Sequence, residues 1–221
     1  MATGAPSTTD DSLRAYLGPQ VGKTYVYDIE ETGRGKISRT TVASADVQDK
    51  DSRVTCSPAS TAEFPADLRK PGAQPLVSEL EIKDGAIVSR RGKVETILLR
   101  APLHPGPDLW QNRQSAVLPG GLRQNTIMHC GIAETGKRSV LGQTRAAVTV
   151  QCAGQNPPGS VLTSSTYADG IGLVQETTEL TDNKQKLIGR YRQVLAEIRI
   201  GSDSCTALVK SLGPTKRAIP P

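Results

Sequence analysis

Few side chains in this sequence combine type and spacing in a way that could support catalysis. The two histidines are His104, in a proline-rich stretch, and His129, directly before Cys130. A cysteine nucleophile and its histidine base must share a face, whereas neighbouring residues of a strand point to opposite faces. A cysteine hydrolase is therefore not expected. Two separated histidines without an Asp/Glu cluster at ligand spacing leave no metal site, and no cofactor is expected. Glu30, Glu31, Glu176 and Glu179 read as exposed strand positions, where charge discourages edge-to-edge pairing. Gly33-Arg34-Gly35 and Gly120-Gly121 lack the strand-to-helix setting of a phosphate loop. The expectation is a protein that is not an enzyme, with no catalytic residues.

The four cysteines, Cys56, Cys130, Cys152 and Cys205, are widely spaced, and no two form a C-x-x-C motif. An even, dispersed set reads as two structural disulfides, which persist in oxidising compartments. Cys130 and Cys152 fall on neighbouring strands about equally far from the intervening turn. Pairing 130–152 with 56–205 is the favoured pattern, and the other two connectivities stay open.

Charge and composition narrow the partners. There are 27 Lys and Arg against 22 Asp and Glu, a net +5, and the basic residues are scattered rather than blocked. Ser89, Arg90, Arg91 and Lys93 could face phosphates. With aromatics at only 3% there is little to stack bases, so a solvated strand face is the better reading and no nucleic-acid partner is expected. No apolar run approaches the roughly 20 residues of a membrane-spanning helix, so no transmembrane span is expected.

These residues must be positioned by strands. Hydrophobic residues make up 36% of the 221, with one Trp and one Phe, so the core rests on Val, Ile, Leu and Ala. Lys23 to Glu31 alternates, with Tyr25, Tyr27 and Ile29 on one face. Further strands are predicted over Lys36 to Val47, Ser52 to Ser57, Leu76 to Lys83, Ala86 to Arg91 and Lys93 to Leu99. Lys83-Asp84-Gly85 marks a tight hairpin. Pro58 to Gln74 is expected to be a long loop or a short helix near Ala66 to Lys70. Ala101 to Gly121, which holds Trp110, is expected to be a loop crossing one end of the sheet. Strands follow at Arg123 to Glu134, Arg138 to Cys152, Val161 to Ala168, Gly172 to Thr181 and Lys186 to Ile200, with turns at Thr135-Gly136-Lys137 and Thr181-Asp182-Asn183. The last strand also carries helical spacing through Leu187, Tyr191, Leu195 and Ile198, and strand is preferred. Ser12 to Tyr16 suits one helical turn. The fold class expected is all-β, mainly antiparallel: a curved sheet or incomplete β-barrel with at most short helices. It would comprise a flexible tether over 1–11, one domain over 12–200 and a tail over 201–221.

Four stretches together carry a resemblance. Tyr16-Leu17-Gly18-Pro19-Gln20-Val21-Gly22-Lys23-Thr24-Tyr25-Val26-Tyr27 is similar to the opening "YFPLKVGNTWVY" of a widespread group of uncharacterised bacterial envelope lipoproteins. Leu99 to Trp110 is similar to that group's "LPLKVGTTW", and Ser139 to Val150 resembles its "VPAGTFEAVKV" strand. Tyr167-Ala168-Asp169-Gly170-Ile171-Gly172-Leu173-Val174-Gln175-Glu176 resembles its "YAPGVGLVKEE". The resemblance implies an envelope location and a curved sheet like the open half-barrel of periplasmic lipoprotein carriers. The polar opening of the chain suits a tether, and Met1 is expected to stand where a lipid-modified cysteine anchors the protein to a membrane.

Two functions follow as expectations. One is a non-enzymatic periplasmic module whose concave face, closed by the Trp110 loop, binds a lipid or other apolar or amphipathic ligand through Tyr25, Tyr27, Trp110 and Tyr167. The other is an assembly subunit that offers a sheet edge or the Cys205 tail to another envelope protein.

Overall fold

The computed structural model describes residues 9–31, 35–46, 50–57, 76–117, 123–156 and 159–200. Among these residues one short helix, α1 (Thr9–Arg14), precedes twelve strands: β1 (Lys23–Glu31), β2 (Gly35–Asp46), β3 (Ser52–Ser57), β4 (Leu76–Lys83), β5 (Ala86–Arg91), β6 (Val94–Arg100), β7 (Gly106–Val117), β8 (Arg123–Val140), β9 (Gln143–Asn156), β10 (Gly159–Ala168), β11 (Gly172–Thr181) and β12 (Leu187–Ile200). The expected all-β, antiparallel fold is what the chain adopts. All twelve strands form one sheet in the order β6-β5-β4-β3-β2-β1-β12-β11-β10-β9-β8-β7. Two six-stranded meanders are thus joined along the β1–β12 ladder, leaving β6 and β7 as edges.

Turn chemistry accounts for two of the described hairpins. Asp84 and Gly85 both take positive φ (50° and 68°) between β4 and β5, as a two-residue hairpin turn with the right twist requires. After β11, Asp182 Oδ1 accepts from the backbone N–H of Lys184 and of Lys186 and so organises the turn into β12. Residues 187–200 are strand, although their apolar spacing also suits a helix, because β12 pairs with β11 on one side and β1 on the other.

Three expectations are corrected. Thr135-Gly136-Lys137 is not a turn: β8 runs through it, and the reversal comes at Leu141 and Gly142, both at positive φ. A bulge between Ile132 and Glu134 absorbs the extra residue. Ala101 to Gly121 is not simply a loop, since Gly106–Val117 forms β7. As an edge strand it tolerates Pro107, and its pairing with β8 is irregular between Gly106 and Trp110. The helical turn begins at Thr9, within the stretch expected to be a tether, rather than at Ser12. The expected Pro58 to Gln74 loop, the Met1 position, the Gly120-Gly121 pair and the 201–221 tail lie outside the described residues.

The sheet curls until its edges approach but does not close into a barrel. One core cluster gathers Leu80, Ile87 and Leu99 from the first meander with Trp110, Met128, Cys130, Ile132, Val148, Val150, Val161 and Tyr167 from the second. Leu13 and Leu17, contributed by α1 and the turn after it, enter the same cluster. Arg14 bonds to Asp51 just ahead of β3 and so fixes the helix against the sheet. A separate cluster contains Tyr25, Tyr27, Val140, Ala168, Ile171, Val174 and Leu195. Each such aliphatic side chain, once buried, contributes about 1.5–3 kcal/mol, so an aliphatic core serves without many aromatics.

Candidate functional site

Where the sheet edges meet, side chains replace the missing backbone ladder. The Asn112 carboxamide on β7 does the work of a neighbouring strand: its Oδ1 accepts from the Ile97 N–H at 2.9 Å and its Nδ2 donates to the Ile97 carbonyl at 2.8 Å. The Trp110 indole N–H donates to the same carbonyl at 3.2 Å. Trp110 itself is buried. It therefore latches the seam from within the core and does not sit on a lid over a concave face, because the segment that carries it is strand.

Behind this seam lies a cavity of about 180 Å³. Its lining joins an apolar set, Ile97, Met128, Val150 and Tyr167, to a polar set, Thr163, Ser165, Glu176 and Thr178. Period-two geometry puts the polar set together. Ser165 lies opposite Glu176, and Thr163 opposite Thr178, in the β10–β11 ladder. Ser165 Oγ donates to Glu176 Oε2 at 3.1 Å, and the Thr163 and Thr178 hydroxyls are 3.2 Å apart. Burial pushes the Glu176 carboxyl above its ordinary range, and the Ser165 hydrogen bond offsets this in part. The Tyr167 phenol is raised by burial and then by the nearby Glu176 charge.

The four aromatic side chains expected to bind ligand are all buried, and the structure divides them. Trp110 and Tyr167 belong to the larger cluster, Tyr25 and Tyr27 to the other. The Tyr25 hydroxyl accepts from the Gln20 backbone N–H, and the Tyr27 hydroxyl donates to the Leu173 carbonyl at 2.8 Å. Of the four, Tyr167 lines the seam cavity. Glu176, expected to be solvated, is half-buried there, and it is the residue sequence reasoning missed. The signal was present: the strand stretch Thr163-Ser164-Ser165 places polar side chains on both faces, so one polar set had to point inward. Glu30 and Glu179 do lie at the surface region, beside Arg192 and Arg190.

Cys130 and Cys152 form the expected disulfide, with Cα atoms 4.0 Å apart on directly paired positions of β8 and β9. Cys130 is consequently no nucleophile, and exposed His129 opens instead onto a shallow groove with Ala153 and Leu162. Cys56 is not a free thiol, while the Cys205 end of the expected 56–205 bridge lies outside the described residues. Arg90, one of the basic residues considered for phosphate contact, pairs with Glu79, Glu81 and Glu95. A larger open furrow of about 710 Å³ runs between the β8–β9 hairpin and the cross-strand row Thr149, Thr166, Gln175 and Val194. No described helix is long and apolar enough to cross a membrane.

No family model matches the chain, and no curated protein matches it significantly in sequence. Solved structures are similar in fold. An exported-protein candidate with a YmcC-like fold from Bacteroides fragilis superposes with a TM-score of 0.54 at 14% identity, over 83% of this chain and 98% of that one. A lipoprotein candidate from Parabacteroides distasonis gives 0.50 at 12% identity, again over 83% and 98%. At such identities the likeness is one of fold, and it extends over most of this chain.

Proposed function

We propose that the protein is a non-enzymatic module of the bacterial envelope, periplasmic and held to a membrane by an N-terminal lipid, that binds an amphipathic ligand at the β6–β7 seam. The observation that carries the binding reading is the mixed lining of the cavity behind the Asn112 latch, which combines apolar side chains with hydroxyls and a carboxyl group. The disulfide and the fold shared with exported-protein and lipoprotein candidates support the compartment. About 180 Å³ holds roughly six water-sized groups at about 30 Å³ each, so the cavity suits the end of a ligand rather than a whole lipid. Trp110, the single tryptophan, reports on the seam. Titration with 1-hexanol, hexylammonium and hexanoate is expected to shift Trp110 emission with at least one of them. Silence with all three, or recovery of the native protein from the cytosol with free thiols, would overturn the proposal.

A second reading, an assembly subunit for another envelope protein, is favoured by apolar exposure at the β11–β12 turn, where Leu180, Leu187 and Ile188 are all exposed. Crosslinking from Ile188→Cys in intact cells would capture a partner if this reading holds, and would give only monomer if it does not.

A further inference from the structure

Most glutamates whose side chains are described on the strands stand beside an arginine. Glu30 pairs with Arg192, Glu134 with Arg138, Glu179 with Arg190 and Glu197 with Arg199, while Arg90 serves three others. Glu176 has no basic group within ion-pair distance among the described residues, although it is half-buried in the lining of the seam cavity. A carboxylate offers about four acceptor positions, and Ser165 fills one. A charge withdrawn from water without a counter-charge is costly, and an opposite charge close by is the ordinary remedy.

We propose that the seam cavity takes an organic cation, an ammonium group on a short apolar stem, with Glu176 as its counter-charge and Ile97, Met128 and Val150 against the stem. This rests on the seam being the ligand site. An anionic head would meet the Glu176 charge at close range and is disfavoured. A neutral alcohol would satisfy the hydroxyls while leaving the carboxylate without a cation. Arg113 lines the rim of the cavity, exposed and without an ion pair to Glu176, so it does not already fill that place. The other groups around Glu176 are Ser165 and Tyr167 on β10, Gln193 opposite it on β12, and Tyr27 on β1, whose phenol the Glu176 charge also raises. Both phenols are pushed up and stay neutral over the working range, which leaves Glu176 as the group that titrates toward acid.

The test is calorimetric and fluorescence titration of the full, disulfide-intact chain with hexylammonium, 1-hexanol and hexanoate near neutral pH. Hexylammonium is expected to bind at least about tenfold more tightly than 1-hexanol, a difference of about 1.4 kcal/mol, with hexanoate weakest. Glu176→Gln should abolish the preference, and wild-type affinity for hexylammonium should fall on acidification as the proton competes with the ammonium. Should Glu176→Gln not fold, the wild-type comparison and its pH dependence decide the matter. Equal binding of hexanol and hexylammonium overturns the cation inference and leaves the amphiphile reading standing. No binding of any probe overturns both.

Discussion

At the level of single residues, Asn112 and Glu176 are the side chains whose behaviour the structure specifies most sharply. Asn112 gives Ile97 both hydrogen bonds that a neighbouring strand would give. Asn112→Leu keeps the branching and the number of side-chain heavy atoms but leaves the Ile97 N–H without its partner, while Trp110 still serves the carbonyl. A half-buried donor left unsatisfied costs about 1–3 kcal/mol, so chemical denaturation should show a loss of that order. Amide exchange at Ile97 should quicken in parallel, and unchanged exchange would mean the latch is ornamental. Glu176 makes a prediction in pH. Its folded-state pKa lies above the unfolded value because of burial, so protonated Glu176 favours the folded state. That contribution is complete below the unfolded pKa and is lost as pH rises through the raised folded one. Ligand-free Glu176→Gln, permanently neutral, should therefore be at least as stable as wild type near neutral pH and should show a flatter pH dependence in mild acid. A variant much less stable than wild type at neutral pH would show that the ionised carboxylate is structurally needed.

Among the elements, the turn Asp169-Gly170-Ile171-Gly172 and the segment around Gly18 fit each other as bare backbone. A Cβ on Gly18 would lie 1.8 Å from the Ile171 carbonyl oxygen, and one on Gly172 would lie 2.6 Å from the Gly18 Cα, with Gly172 at φ +94° as well. The Gly170 N–H donates to the Ala15 carbonyl and the Gln20 side chain donates to the Gly170 carbonyl, which closes the contact. Neither backbone can yield without breaking these bonds. Gly18→Ala and Gly172→Ala should each cost more than about 2 kcal/mol, read as a lowered denaturation midpoint with an unchanged slope. This contact joins two of the four stretches that carried the lipoprotein resemblance, whose sequence separation hid their proximity. Legibility varied by element for physical reasons. Strands bounded by strong turn chemistry, such as β4 and β5 around Asp84-Gly85, were readable to the residue. The Leu141-Gly142 turn was not, because Leu at positive φ is a poor turn signal and Thr135-Gly136-Lys137 offered a better local one. Likewise β7 was masked by its prolines, since edge position, which makes Pro107 tolerable, is a property of the sheet and not of the segment. The same holds for the site: Tyr167 was legible as an aromatic, whereas Glu176 became distinctive only once the register set it opposite Ser165 and away from any arginine.

For the molecule as a whole, the question is whether two meanders amount to two folding units. Their backbones are joined by one ladder, β1 with β12, in which Lys23 pairs with Ile200 and Glu31 with Tyr191. This pairing brings together residues nearly the whole described chain apart, so the entropy of closure falls late and the ladder is expected to form slowly. Local ties alone would favour independent halves, and the Cys130–Cys152 bridge lies wholly within the second. Closing a loop of 22 residues, that bridge should contribute about 3 kcal/mol by restricting the unfolded chain. The core argues the other way. Leu80, Ile87 and Leu99 pack in the same cluster as Trp110, Met128 and Val150, with Leu13 and Leu17 among them, so either half alone would expose the apolar face it shares with the other. At about 25 cal/mol per Å² of apolar surface, exposing that face outweighs the gain from a single disulfide. Calorimetry of the oxidised protein is therefore expected to show one transition, with calorimetric and van't Hoff enthalpies equal, and removal of the bridge by paired Cys130→Ala and Cys152→Ala should lower its midpoint without splitting it. Two resolved transitions, the upper one alone shifted by loss of the bridge, would show instead that the second meander folds by itself and that the seam joins two domains.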